Sequence, residues 1–336
     1  MNKIKLSISI PSNNKVKYLI SAIESIVREV NNKKSIEINI SDNSNFTEKK
    51  KKLIKNNNLF NNINYFSSNH SSLDLNVNNS INISQGKYVW IFGDDDIIHK
   101  GSLNKILEYL DKNDPDVLIV NSSSFIDNEV IETRRCKILE NKKYEKHNKY
   151  NDDFLEDMGN YLTYIGSIII KKNVWQANLN KNYFGTFFNH LSVILLSKIN
   201  GSNIHYLSTP VIKMRVNSQT WTNSYFKIWN INFPEVIWSF KNFSKKSKQK
   251  VIAQYPYYSI FRLVALNAYG HFNFRLYIEF ILQNKKIGIF FKIISFFISL
   301  LPKIITSKIY YYFIIFFRNK HTNKFSPKLA KKLLKL

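Results

Sequence analysis

Short runs of β-branched residues alternate with apolar residues at helical spacing over roughly the first hundred residues of the chain. The run KLSISI ends at the polar stretch PSNN, and apolar positions between Tyr18 and Val27 then recur at helical spacing. The segment SIEINISDNSN is a second strand that closes on a polar turn at Asp42. Two more strands, NINYFSS and KYVWIF, flank a helix predicted over residues 74–84. This alternation predicts an α/β domain with a mostly parallel, Rossmann-like sheet covered by helices.

The pattern continues less regularly to about Ser224. A helix at GSLNKILEYLDKN, with Ser102 as its cap, is followed by a strand at DVLIVNSSSF and an irregular polar region to about Asn160. YIGSIIIKK predicts a buried strand, TFFNHLSVILLSKI a helix, and NIHYLSTPVIKMRV a strand pair broken at Pro210. Aromatic residues and lysines dominate beyond Trp221, where strand signals end. We therefore predict two domains, residues 1–224 and a helical region over 225–336.

Charge is distributed unevenly along the 336 residues, whose formal net charge is +25. From Tyr225 to the end, 20 Lys and Arg are accompanied only by Glu235 and Glu279, so this third carries +18. Lysine and asparagine runs in the first half, such as EKKKKLIKNNNLFNNIN, are interpreted as solvated loops and helix faces. The single cysteine, Cys136, fits a reducing compartment, and the first apolar stretch is too short for a signal peptide.

Three consecutive aspartates, Asp94, Asp95 and Asp96, follow the fourth predicted strand in YVWIFGDDDII. Carboxylates this close raise one another's pKa and destabilise the fold unless a cation or a donor-rich ligand satisfies them. A single Asp at a strand end is more often a turn or capping residue, but three in a row favour a metal site. Hard cations such as Mg²⁺ or Mn²⁺ prefer carboxylate and phosphate oxygens, which suits a nucleotide diphosphate. On an extended strand end, Asp94 and Asp96 would point to one side and Asp95 to the other.

Three segments in this order, LSISIPSNN, EINISDNSN and SQGKYVWIFGDDD, resemble the nucleotide-sugar-binding half of family 2 glycosyltransferases, which have the GT-A fold. The resemblance covers residues 5–100 and extends more weakly through YIGSIIIKKNVW, YFGTFFNHL and PVIKMRVNSQTW, which are similar to the acceptor half of bacterial polysaccharide enzymes. It implies that Mg²⁺ or Mn²⁺ is held by Asp96 and Asp94. It also implies a donor site, with Asp95 assisting, formed by Pro11, Asn14, Asp42 and Asp94.

The resemblance leaves the catalytic base open, because the family usually supplies an acid near the start of a helix well beyond the metal motif. That region here reads GTFFNHL and contains no acid. His190 is the nearest titratable group and our candidate base, since imidazole titrates near neutral pH. A packed histidine at a helix edge is the alternative interpretation. Asp157 and Asp153, in NDDFLEDMGN, are the other candidate bases.

Four further residues are candidates for contacts with the substrates. Arg215, in MRVNSQTW, could place a positive charge over the diphosphate, and Trp221 could stack on a sugar ring. A surface arginine and a core tryptophan are the alternatives. Gly166 and Ser167 are predicted to line the acceptor groove, because a missing side chain lets a ligand approach the backbone.

The segment GIFFKIISFFISLLPK spaces its polar and small residues so that a helix would have one narrow polar stripe and a broad apolar face. Lys292 and Lys303 bracket only ten residues, which favours a helix lying in a membrane interface over a spanning helix. The tail from Arg318 has seven Lys or Arg and no acid, as expected of a segment beside anionic lipid. A helical subdomain that packs these aromatic residues internally is the alternative.

These features predict a peripheral glycosyltransferase at the cytoplasmic face of the inner membrane. It would move a sugar from a nucleotide diphosphate sugar to a lipid-linked saccharide acceptor of a surface polysaccharide. Nucleic acid is not an expected partner, because no recognised nucleic-acid motif is present. Two alternatives remain: a non-catalytic membrane- or nucleic-acid-binding module, and a nucleotidyltransferase.

Overall fold

A computed structural model describes most of the chain, namely residues 4–13, 16–30, 34–45, 47–56, 63–67, 72–126, 129–144, 151–216, 218 and 221–316. The chain divides into two compact units. The first consists of Met1–Gln219 with Ser239–Val251, and the second of Thr220–Trp238 with Ile252–Leu336. The domain boundary at residue 224 stays a prediction.

One mixed sheet of ten strands forms the centre of the described part of the first unit. Its strands are β1 (Leu6–Ser12), β2 (Ile36–Asp42), β3 (Ile63–Ser67), β4 (Tyr88–Ile91), β5 (Ile97–Ile98), β6 (Val117–Ile126), β7 (Glu129–Glu132), β8 (Lys142–Tyr144), β9 (Ile168–Lys171) and β10 (Ile204–Arg215). They follow the order β3-β2-β1-β4-β9-β6-β10-β5, with β7 on β6 and β8 on β10. The strands from β3 to β4 run parallel, whereas β9 is antiparallel to both of its neighbours. The predicted α/β fold is confirmed, and its parallel pairing is concentrated in the first half.

Helices of the first unit cover this sheet. They are α1 (Val16–Val30), α2 (Thr47–Asn56), α3 (Leu73–Asn82), α4 (Ser102–Asn113), α5 (Asn151–Met158), α6 (Lys172–Asn178) and α7 (Asn189–Ile199), followed later in the chain by α10 (Lys245–Val251). The apolar periodicity that predicted α1 is its buried stripe, formed by Leu19, Ala22, Ile23, Ile26 and Val30. Burial of this stripe, rather than intrinsic helix propensity, supplies most of the stability of such a helix.

The second unit is helical where it is described, as predicted. Its helices are α8 (Tyr225–Lys227), α9 (Phe233–Ser239, whose last residue belongs to the first unit), α11 (Ile260–Ala268), α12 (Phe274–Tyr277), α13 (Ile289–Leu300) and α14 (Lys303–Phe316). Phe226, Leu263, Phe272 and Ile281 lie at the centre of its apolar core. Among the described helices, none alone is long and apolar enough to cross a membrane. The pair formed by α13 and Lys303–Phe313 reaches that length together but bends by 111°.

Three local expectations are wrong. The segment around Pro210 is one strand, β10, whose register against β6 shifts at Pro210, and not a strand pair. Ser102 is the first residue of α4, and Gly101 precedes it in a left-handed conformation. The aspartate triplet forms a turn between β4 and β5 and does not extend β4, so strand alternation does not describe its side chains.

A buried ion pair joins β2 to α2. Lys50 Nζ lies 2.9 Å from Asp42 Oδ1, and both side chains are fully buried. The same ammonium donates hydrogen bonds to Ser12 Oγ at 3.0 Å and to the carbonyl oxygen of Asn13 at 2.8 Å. All three of its donors therefore have partners, which compensates for the loss of hydration. Lys50 belongs to the lysine run that we interpreted as a solvated helix face. Because Lys50 is buried, this interpretation is wrong at this position.

We predict that Lys50→Met destabilises the protein by about 3 kcal/mol or more, because removal of one partner leaves a buried charge without compensation. Lys52→Met is the matched control, since Lys52 is exposed on the same helix. Urea unfolding measures the difference between the two variants. An equal and small effect of both substitutions would contradict the structural role of Lys50.

A second prediction concerns acid. Burial favours the neutral form of Asp42, but hydrogen bonds from Lys50, Tyr65 and Ser44 lower its pKa below the ordinary 3.8. The stabilisation that the carboxylate provides is therefore complete well above pH 4 and is lost as pH falls through the folded-state pKa. Asp42→Asn should destabilise the protein at pH 7 and progressively less below pH 4. The exposed substitution Asp111→Asn is the control, and a pH-independent effect of Asp42→Asn would contradict this account.

Candidate active site

Three predicted donor-site segments meet at one edge of the sheet. In the register of β1 with β2, Ser12 lies opposite Asp42, and Pro11 lies opposite Ser41. The backbone N–H of Phe92, which follows β4, donates to the carbonyl oxygen of Ser9 in β1. The carboxyl ends of β1, β2 and β4 are therefore adjacent, as expected for ligand sites of parallel sheets. Asn14 lies outside the described residues.

Asp42 is held by donors from three different elements. Besides Lys50, it accepts hydrogen bonds from the hydroxyl of Tyr65 in β3 and from the backbone N–H of Ser44 at 3.1 Å. Ser44 Oγ donates a further bond at 3.0 Å. These contacts fix the carboxylate as an anion at the end of β2. Neither Lys50 nor Tyr65 was a candidate from sequence.

Asp94 is connected to Asp42 through β1. Ser12 Oγ donates to Asp94 Oδ2 at 3.0 Å, and the backbone N–H of Asn13 donates to the same oxygen at 3.1 Å. Because Ser12 Oγ also accepts from Lys50, a continuous series of hydrogen bonds links Asp42, Lys50, Ser12 and Asp94. This series, which we call the strand-end network, positions Asp94 relative to the end of β2.

Asp96 is a buried carboxyl in a crowded position. Tyr164 OH donates to its Oδ2 at 2.7 Å, and the backbone N–H of Arg215 donates to Oδ1 at 3.1 Å. Burial, together with the neighbouring charge of Asp95, raises the pKa of Asp96 to about 8. A Cβ added to Gly166 would lie 3.0 Å from Asp96 Oδ2 and 2.5 Å from Tyr164 OH. Gly166 is therefore required by close packing against Asp96.

Arg215, the last residue of β10, lies beside the triplet. Its Nε donates to the carbonyl oxygen of Asp95 at 3.1 Å, and its guanidinium lies 4.5 Å from the ring centres of both Tyr18 and Phe125. Ser218 Oγ donates to the Asp95 carboxylate. The arginine is thus held between two aromatic rings at the edge of the aspartate turn, which fixes the position of its charge.

His190 is in α7, close to its first residue, and is almost completely buried. Its Nε2 lies 3.1 Å from the carbonyl oxygen of Leu162, so Nε2 carries the ring proton. Burial lowers the pKa of His190 to about 4, which keeps the ring neutral at pH 7. This geometry matches the packed histidine that the sequence left as an alternative, and the role of His190 as base stays a prediction.

The loop before α7 is fixed by Asp74, a residue that sequence reasoning missed. Asp74, buried in α3, accepts hydrogen bonds from the backbone N–H groups of Gly185 at 2.8 Å, Phe187 at 3.0 Å and Asn189 at 3.3 Å. Gly185 and Phe187 both have positive φ, and Phe187 carries a side chain that disfavours this conformation. The buried carboxylate therefore imposes the conformation of the segment in which the resemblance places the base.

The remaining candidates make other contacts. Asp157 pairs with Lys142 at 2.7 Å and accepts from Tyr144 OH, and Asp153 is exposed on α5. Ser167 is fully buried and donates to the carbonyl oxygen of Tyr164 at 2.7 Å, so its hydroxyl is used within the fold. Trp221 belongs to the second unit, where its ring stacks with that of Tyr225.

The two outer aspartates of the triplet suit a divalent cation. The hydrogen bonds that Asp96 accepts come from a tyrosine hydroxyl and a peptide N–H, which do not neutralise a buried negative charge. Among the residues that the structure describes, no three His, Cys, Asp or Glu side chains form a complete metal site. One or two carboxylates are nevertheless sufficient for Mg²⁺ when phosphate and water complete its shell. A cation bound here would need phosphate and water oxygens to complete its shell.

Comparison with known proteins identifies relatives of this chain. The model of glycosyl transferase family 2 matches residues 7–170. Abequosyltransferase RfbV of Salmonella typhimurium is 30% identical over 221 residues, which are 62% of this chain and 66% of the relative, slightly less than two thirds of its length.

Solved structures of TarS from S. aureus share the fold. The structure of TarS residues 1–349 in complex with UDP is 16% identical, with a TM-score of 0.51 over 74% of this chain and 70% of that chain. The corresponding complex with UDP-GlcNAc is 14% identical, with a TM-score of 0.52 over the same shares. This similarity confirms the GT-A fold class. The similarity to glycosyl transferase family 2 lies in residues 7–170, which include Asp42 and the aspartate triplet.

Proposed function

We propose that this protein transfers a sugar from a nucleotide diphosphate sugar to a saccharide acceptor during synthesis of a surface polysaccharide. The observation that carries the proposal is the strand-end network, which connects Asp42 to Asp94 beside the buried carboxyl of Asp96 in a family 2 chain. RfbV is an abequosyltransferase, and TarS has been crystallised with UDP and UDP-GlcNAc. The name of RfbV supports sugar transfer, and the TarS complexes support a nucleotide donor.

Different residues would bind different parts of the nucleotide sugar donor. Asp42, an anion at the end of β2, would hold the nucleoside, and Asp94 the ribose or the metal. Asp94 and Asp96 would hold Mg²⁺ or Mn²⁺, which when bound neutralises charge on the departing diphosphate. The guanidinium of Arg215, fixed between Tyr18 and Phe125, would add a second positive charge beside the same turn.

Removal of a proton from the acceptor hydroxyl requires a base, which we propose to be His190. Because its Nε2 faces the Leu162 carbonyl, Nδ1 carries the lone pair that would accept this proton. Asp157 remains the alternative, although its carboxylate is paired with Lys142. With the base on the side opposite the diphosphate, attack at the anomeric carbon inverts its configuration.

The acceptor is proposed to be lipid-linked, which would bring the enzyme to the cytoplasmic face of the membrane as a peripheral protein. Support comes from α13, whose exposed positions include Ile289, Phe290 and Phe297 at 73%, 74% and 63% exposure. On α14, Ile304 and Tyr312 are also exposed, by 63% and 67%. Apolar surface on two successive helices in a strongly basic region is typical of binding at a lipid interface.

We predict that Asp96→Asn lowers sugar transfer by roughly 100-fold or more, because loss of metal-assisted charge stabilisation costs several kcal/mol in the transition state. The exposed substitution Asp111→Asn is the control. Transfer is measured as nucleoside diphosphate released from a panel of nucleotide sugars with Mg²⁺ or Mn²⁺. Release of pyrophosphate would instead identify a nucleotidyltransferase, and full activity of Asp96→Asn after chelation of divalent metal would contradict the proposed site.

A separate prediction concerns the membrane. The double substitution Phe290→Ser/Phe297→Ser should weaken binding to vesicles of phosphatidylglycerol and phosphatidylcholine by roughly tenfold or more, since one buried phenylalanine contributes about 1.5–3 kcal/mol. Leu139→Ser is the matched control, because Leu139 is 71% exposed in the first unit. Vesicle sedimentation gives the affinity. Unchanged sedimentation of the double variant would exclude α13 as the membrane contact.

A further inference from the structure

We propose that Arg135 binds a diphosphate oxygen of the substrate beside Asp96. This inference rests on the proposed function and adds a residue to its site. Neither the periodicity of the chain nor the family resemblance pointed to Arg135, which follows β7 in the polar segment ETRRCK. Three observations place its guanidinium in the site and show that it needs an acceptor.

First, the backbone around Arg135 is fixed to the sheet. Its N–H donates to the carbonyl oxygen of Ser122 in β6 at 2.8 Å, and the N–H of Cys136 donates to Asn121 Oδ1 at 3.0 Å. Asn121 Nδ2 returns a hydrogen bond to the carbonyl oxygen of Cys136 at 3.1 Å. Successive bonds to one strand limit the backbone motion, so the side chain starts from a defined position.

Second, the guanidinium lies against the residue that binds Asp96. Its Cζ is 4.9 Å from the ring centre of Tyr164 and 5.9 Å from that of Tyr161. The hydroxyl of Tyr164 donates to Asp96 Oδ2 at 2.7 Å. One ring therefore contacts the arginine with its face and the carboxyl with its hydroxyl. This arrangement holds a positive charge next to the proposed metal ligand without neutralising that ligand through a direct ion pair.

Third, Nη1 of Arg135 is buried and has no hydrogen-bond partner within the part of the chain that the structure describes. A buried charged donor without an acceptor costs more than a neutral one, so a ligand that supplies the acceptor binds with a corresponding gain. Arg134, the preceding residue, differs in this respect, because its Nη1 donates to the carbonyl oxygen of Leu139 at 3.4 Å.

The chemistry of the ligand follows from these neighbours. A planar guanidinium matches the oxygens of phosphate, and Asp96 would share those oxygens through the cation that it holds. A neutral sugar hydroxyl would satisfy the donor but would not balance its charge. Two molecules in the proposed reaction can carry a diphosphate: the nucleotide sugar donor and a lipid-linked acceptor. The shared chemistry is a diphosphate oxygen, and the experiment separates the sources.

The experiment measures the affinity of purified Arg135→Gln for inorganic pyrophosphate, UDP, CDP, GDP and farnesyl diphosphate, each with Mn²⁺, by isothermal titration calorimetry. Arg134→Gln is the matched control. We expect binding of pyrophosphate to weaken at least tenfold in Arg135→Gln and to stay unchanged in Arg134→Gln. When pyrophosphate binding weakens, an accompanying loss for the nucleoside diphosphates but not for farnesyl diphosphate identifies the donor as the source, and the reverse identifies the acceptor.

A structural role alone would give a different result. If Arg135→Gln lowers the unfolding temperature but binds every diphosphate as tightly as the wild type, the inference is overturned. Should Arg135→Gln fail to fold, Arg135→Lys, which keeps the charge beside Tyr164, replaces it. We expect Arg135→Lys to bind pyrophosphate more weakly than the wild type. If the wild type transfers sugar and Arg135→Gln transfers it equally fast, this inference is overturned and the proposed function stands. Wild-type protein that neither binds a diphosphate nor transfers sugar would overturn the proposed function with it.

Discussion

Burial of carboxylates at the ends of two strands that flank β1 is the constraint on which the rest of the first unit depends. Asp42 ends β2 and Asp94 follows β4, and each must replace its water with donors from the protein. Lys50 and Ser12 meet that requirement together, because Ser12 accepts from Lys50 and donates to Asp94. As a consequence, α2, β1, β2 and the aspartate turn are positioned by one set of hydrogen bonds. This edge of the sheet is therefore held together by hydrogen bonds within the protein.

Local sequence patterns predicted the strands and the helix that form this edge of the sheet. The reason is that β1, α1, β2 and β4 each bury apolar residues at regular spacing. Asp42 and the triplet could be chosen because an acid after a buried strand is a local signal. Lys50 could not be identified from sequence as a buried residue. It is one of four consecutive lysines, which differ only in the side of the helix on which they lie, and the sequence does not give the orientation of that helix. The turn at Asp94–Asp96 and the insertion of β9 between β4 and β6 depend on long-range pairing, which periodicity does not contain.

The distribution of arginine around the triplet illustrates the same limit. Arg215 ends a long strand in a segment that the sequence had selected, whereas Arg135 lies in an irregular segment after β7. Both guanidiniums lie on aromatic faces, at 4.5 Å and 4.9 Å from the nearest ring centres. A stacked guanidinium keeps its charge while losing little further freedom on binding. Positive charge at this site is therefore preorganised.

The hydrogen bonds of Asp74 affect how the sequence of the loop before α7 can change during evolution. Its carboxylate bonds to the peptide N–H groups of residues 185, 187 and 189, and peptide groups are common to all residues except proline. These three bonds therefore do not depend on which side chains stand at positions 187 and 189. The hydroxyl of Thr186 does take part in the loop, because it donates to the carbonyl oxygen of Tyr183 at 2.6 Å and accepts from the N–H of Phe188 at 3.1 Å. Side chains at positions 187 and 189 can thus change during evolution while the bonds that fix the start of α7 remain.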